Sequence, residues 1–129
     1  MSEKGAMMDH GELHALVAQA VETVCPTFAQ PFLESNVALW VLHQPLVTDC
    51  RGTDRYDDIA RDLRREIVDQ LRTKTDQAGA RLYLAGWGKE GRYVWYPVRV
   101  LHAMANGDEA LLHRLLLALQ RQDAEYRAV

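Results

Sequence analysis

Few residues of this 129-residue chain have the types and spacings that could do chemistry. His43, Asp49 and Cys50 lie close together around the loop after VALWVLH, so a cysteine activated by a histidine is the first candidate. The spacing alone does not bring them together. Cys50 also reads as a small apolar filler, Asp49 as a turn former and His43 as a strand-end residue. His10 and His14 are one helical turn apart in HGELH. This is not the HExxH order that sets a general base beside zinc, and a shared metal would need further ligands such as Asp9. Tyr56-Asp57-Asp58 places paired carboxylates at a helix start, where acids complement the helix dipole without any catalytic role. GWGKEG, residues 86–91, combines glycines with a lysine but lies between two strand-like runs, whereas a phosphate loop opens a helix. It reads as a turn. The sequence therefore points to a protein that is not an enzyme and takes no cofactor or metal. A small cysteine- and histidine-dependent enzyme ranks third among the functional readings.

The elements that must position any site follow from punctuation and period. Around GWGKEG, two short runs rich in aromatic and β-branched residues predict a β-hairpin with strands at about 81–87 and 92–98. A loop centred on Lys89 and Glu90 sets Leu84 opposite Trp95, Ala85 opposite Val94 and Gly86 opposite Tyr93. One face then carries Leu82, Leu84, Tyr93 and Trp95, and the other Tyr83, Trp87, Val94 and Tyr96. A lone hairpin rests only one face on its own core, so the second needs a helix, a partner or a ligand over it. The leucine-rich C-terminal helix is one candidate cover.

A first helix is expected from about residue 10 to Cys25, opened by an Asp9–Glu12 capping box, with residues 1–8 disordered. Pro26 to Asn36 reads as a bent connection or a short helix from Pro31. Val37 to His43 fits a buried strand or a helix end by periodicity, and its shortness favours a strand. A long central helix spans 54–77, with Gly79 as its stop. On it Tyr56, Ile59, Ala60, Leu63, Ile67 and Leu71 form an apolar stripe, Arg61, Arg64, Arg65 and Arg72 a basic one, and Asp58, Asp62, Glu66 and Asp69 an acidic one. Pro97 opens a short helix through Ala105, and Asn106-Gly107-Asp108 ends it while capping a last helix over 108–127. There Leu117 stands apart from the broad face of Leu111, Leu112, Leu115, Leu116, Leu119 and Tyr126. It is the position to suspect in a homodimer formed through this helix.

Composition bounds the rest. A hydrophobic fraction of 48% with 26% charged residues matches a globular protein, and no apolar run reaches the roughly 20 residues of a membrane span. The expected fold is α+β: a helix-rich single globular domain over 1–129 with a small sheet built around the aromatic hairpin. The N-terminus has no signal-peptide core, and Cys25 and Cys50 lack CxxC spacing, so a cytoplasmic protein with two idle thiols is expected. A net charge of −3 opposes whole-molecule attraction to nucleic acid or an anionic membrane, leaving local basic patches.

The stretch Gly79 to Val98, with RLYLAGW, a Gly-bounded turn, GRYVWYP and a later Asn-Gly-Asp, resembles the wing hairpin of winged helix-turn-helix regulators of phage and plasmid type. That resemblance implies DNA binding, with Arg64, Arg65, Arg72 and Lys74 near phosphates and Lys89 and Arg92 at the wing tip. The chain departs from the pattern in having no Gly-containing turn within the helix before the wing.

The leading reading is a non-catalytic regulatory protein that binds nucleic acid or a nucleoprotein complex. Its phosphate contacts would come from Arg61, Arg64, Arg65, Arg72, Lys74, Arg81, Lys89 and Arg92, with Tyr83, Trp87 or Tyr96 stacking on bases. The alternative is a small protein-binding inhibitor or interaction module of phage or mobile-element origin, using an aromatic hairpin face or the acidic stripe.

Overall fold

The computed structural model describes residues 10–128, with side-chain surroundings for 11–126. The Asp9 cap and the expected disorder of 1–8 lie outside the described residues. The architecture is α+β, helix-rich with one small antiparallel sheet. Two compact units are distinguished: Met1–Thr27 with Glu34–Gln70, and Phe28–Leu33 with Leu71–Val129. No described helix is long and apolar enough to cross a membrane.

The first unit is helical. Helix α1, His10–Thr23, buries Leu13, Leu16, Val17, Ala20 and Val21 at helical spacing and packs against α2, Glu34–Leu42. The strand expected over 37–43 is thus a helix, and its side chains show why. Val37 and Val41 are fully buried while Leu39 between them is 59% exposed, a four-residue recurrence that strand alternation cannot produce. Of the two readings of Pro26 to Asn36 the bent connection is the one found as far as Leu33, with Phe32 forming a bridge to Trp95, and the next helix opens at Glu34 rather than at Pro31. A single turn, α3 at Pro45–Thr48, starts with Pro45 in its first position. Helix α4, Asp54–Thr73, begins where Thr53 Oγ1 accepts from the Tyr56 N–H, and it buries Ile59, Leu63, Ile67 and Val68.

Helix α4 stops four residues before the expected Gln77, and its last turn, from Leu71, belongs to the second unit. Asp76 sets the stop. Its carboxylate accepts from the N–H groups of Ala78 and Ala80, at 2.8 and 3.0 Å, and so draws the chain into a turn that Gly79 completes at φ 87°.

In the second unit strands β1, Tyr83–Trp87, and β2, Tyr93–Pro97, pair antiparallel. The register differs by one residue from the expected one: Leu84 faces Tyr96, Ala85 faces Trp95 and Gly86 faces Val94. The loop has an odd number of residues. Gly88 N–H donates to Arg92 O, the Gly91 N–H donates to Gly88 O, and Gly91 sits at φ 75°, so Lys89, Glu90 and Gly91 form a three-residue connection centred on Glu90. A one-residue slip exchanges the partners on each face. Tyr83, Ala85, Trp87, Tyr93 and Trp95 therefore share one face, and Leu84, Gly86, Val94 and Tyr96 the other.

Both sheet edges are occupied. Phe32 exchanges two backbone hydrogen bonds with Trp95 on the β2 side. On the β1 side, helix α6, Glu109–Ala128, accepts from the outward N–H groups of Ala85 and Trp87 through Asp123 and Gln122, at 3.0 and 2.8 Å. Leu119 of α6 packs with Leu84 and with Leu101 of α5, Val98–Ala105. Gly86 permits that approach, since a Cβ there would collide with the Leu119 side chain. Asn106 ends α5 in the left-handed region at φ 49°, and Asp108 caps α6 through the Leu111 N–H. Leu117 points outward, as its helical position implied.

Candidate binding surface at the hairpin tip

The base of the hairpin is core and its tip is surface. Tyr83, Ala85, Trp95 and Pro97 are buried, with Tyr83 edge-on to Phe32 at 5.9 Å. Trp87 is 47% exposed yet firmly held. Its ring stacks on Tyr93 at 4.2 Å, and Tyr93 in turn lies 4.5 Å from Tyr126 of α6. Its N–H donates to Gln122, and its carbonyl accepts from the Tyr96 hydroxyl at 2.8 Å. Burial pushes the Tyr96 hydroxyl above the usual phenol range, which keeps it a neutral donor. An exposed indole stacked on Tyr93, on a backbone pinned by Gln122 and Tyr96, loses little freedom on binding, the property that makes aromatic anchors effective.

Lys89 and Arg92 extend beyond this ladder, both exposed, with Arg92 donating to Glu90 at 2.7 Å. Together with Val94, Tyr96, Met104 and Leu33 they line a cleft of about 530 Å³. Lys89, Arg92 and Tyr96 thus share one site, and Trp87 occupies the opposite face of the ribbon.

The other expected contact residues are placed differently. Tyr83 is only 3% exposed, so it belongs to packing and offers no ring to a base. Arg81 is largely buried and donates twice to Asp123, at 3.0 and 3.2 Å. Arg72 and Lys74 are half-buried, with the Arg72 Nε buried and without a hydrogen-bond partner. On the first unit Arg61, Arg64 and Arg65 are exposed along α4. Arg61 pairs with Asp58 at 2.7 Å and Arg64 with Glu34 at 3.0 Å.

The chemical candidates around 43–50 do not converge in their hydrogen bonding. His43 Nδ1 bonds to Leu39 O at 2.7 Å, while the Cys50 thiol is buried and donates to Val47 O at 3.2 Å. Among the described residues no three His, Cys, Asp or Glu side chains gather as a metal-ligand set.

Two polar clusters escaped the sequence reading. Glu66, assigned by the sequence to the acidic stripe, is 6% exposed, and its carboxylate meets His14 Nδ1 at 2.7 Å and Gln70 Nε2 at 2.8 Å. Its spacing of three from Leu63 and seven from Ile59 places it beside the apolar stripe, a signal available in the sequence. Asp123 is four residues past Leu119 and seven past Leu116, hence on the buried face of α6. No protein-family model matches the chain, and comparisons with curated proteins and with solved structures find no significant match.

Proposed function

We propose that the chain is a non-catalytic regulatory protein that binds nucleic acid or a nucleoprotein complex through its hairpin tip. The observation that carries the reading is the tip itself: an indole half-exposed on Tyr93, its backbone pinned by two hydrogen bonds, beside a three-residue loop that bears Lys89 and is followed by Arg92. Cations that reach phosphates on one face of the ribbon, and on the other a ring that can stack on a base, are the two ingredients of single-strand and wing-type contacts. Exposed Arg65, with Arg61 and Arg64, offers a second basic surface on α4 of the first unit. Such a regulator works in the cytoplasm, where the thiols of Cys25 and Cys50 stay reduced.

The test is binding to labelled duplex DNA, single-stranded DNA and RNA at about 50 and 200 mM salt, a range over which phosphate contacts weaken steeply. Salt-sensitive binding that Lys89→Glu and Trp87→Ala both reduce is the expected result. Binding that is absent, or that ignores both substitutions, would refute the reading.

A protein partner is the second reading, favoured by a specific observation: Arg61, Arg64, Arg81 and Arg92 already face carboxylates, and the net charge is −3. Trp87 would then anchor in a pocket of the partner. Exposed Leu117 offers a contact for self-association along α6. Capture of a protein that Trp87→Ala abolishes, without nucleic-acid binding, would select this reading.

A further inference from the structure

We propose that the cleft beside the hairpin tip binds a small amphipathic monoanion, an apolar body carrying one carboxylate- or sulfonate-type charge. Its volume of about 530 Å³ fits one small ligand. Leu33, Val94 and Met104 give it apolar walls, and Met104 is an exposed apolar side chain that packing does not explain. The charges at the rim do not balance. Arg92 and Glu90 pair with each other at 2.7 Å, whereas Lys89 has no hydrogen-bond or ion-pair partner among the described residues. The Tyr96 hydroxyl is committed to the Trp87 carbonyl, so the unmet charge of the cleft is the Lys89 ammonium. An apolar lining with one convergent cation selects a ligand of complementary form.

Because Lys89 also serves the nucleic-acid reading, a bound ligand would compete with nucleic acid. That link rests on the reading above. The cleft itself is tested without nucleic acid, so either can fail alone.

Anilinonaphthalene sulfonate is the probe, with the uncharged N-phenylnaphthylamine as its control, both followed by fluorescence. Saturable one-site binding of the sulfonate is expected, weakened about tenfold by Lys89→Glu, the effect of losing one charge-assisted contact. Met104→Glu should weaken both probes, and Lys89→Glu should leave the uncharged one unchanged. Both positions are exposed, so both variants fold, which circular dichroism verifies. Non-saturable binding, or sulfonate affinity unaltered in Lys89→Glu or in Met104→Glu, would overturn the proposal.

Discussion

Replacing Asp123 with alanine should destabilise the second unit by about 3–5 kcal/mol, because three donors lose one buried acceptor. The carboxylate is fully buried and receives Arg81 Nη1 at 3.0 Å, Arg81 Nη2 at 3.2 Å and the Ala85 N–H at 3.0 Å. Its removal takes the counter-charge from a largely buried guanidinium that keeps the Tyr83 carbonyl as an acceptor, and strands an edge N–H of β1. Against a domain stability of roughly 5–15 kcal/mol, that loss is large enough to leave a sizeable unfolded fraction. Asp123→Asn can keep the Ala85 bond and should cost less. The double variant Asp123→Leu with Arg81→Leu should recover much of the loss, since no uncompensated charge remains. Urea unfolding followed by tryptophan fluorescence, to which buried Trp95 contributes, reads the midpoint, and an unchanged slope would assign the shift to stability. If Asp123→Ala lies within about 0.5 kcal/mol of the parent chain, the size of a surface substitution, the clamp does not hold the hairpin to α6.

Gly86→Val should cost several kcal/mol by driving α6 off β1, read as a lowered melting temperature; a neutral result would mean that Leu119 has room to move. Tyr96 contributes in the alkaline range. Its raised folded pKa gives stability that is present below the unfolded value near pH 10 and lost as pH rises through the folded one, so Tyr96→Phe should flatten that loss in alkaline unfolding curves. His14→Ala should destabilise the first unit by about 1–3 kcal/mol, because it leaves the buried Glu66 carboxylate without that partner, whereas Glu66→Gln, which leaves only the exposed His14 to return to water, should cost less; the reverse order in chemical denaturation would contradict that ranking.

The hairpin, α4, α5 and α6 were legible because each carries local signals: aromatic runs around glycines, a long stretch free of Gly and Pro, and caps at Pro97 and Asp108. What stayed hidden depends on partners distant in sequence. The register turned on one loop residue, since glycines at 86, 88 and 91 allow connections of different length and only Gly91 takes the positive φ. Val37 to Leu42 is short and apolar, so nothing local separates strand from helix, and burial of Val37 and Val41 against neighbouring packing decides it. Tyr83, Trp87 and Tyr96 look alike in sequence, yet Tyr83 is core, Tyr96 is part-buried beside the cleft and Trp87, nearest the tip, is exposed. Nothing local marks Glu66 and Asp123 as buried beyond their apolar-face spacing, and their partners His14 and Arg81 lie 52 and 42 residues away in the chain.

The central claim is that the hairpin tip contacts phosphates, and the salt dependence of nucleic-acid binding by the parent chain and by Lys89→Ala tests it. If Lys89 neutralises one phosphate, the slope of log affinity against log salt should fall in magnitude by about one unit in the variant, for every sequence tried. Equal slopes for the two proteins would contradict the account.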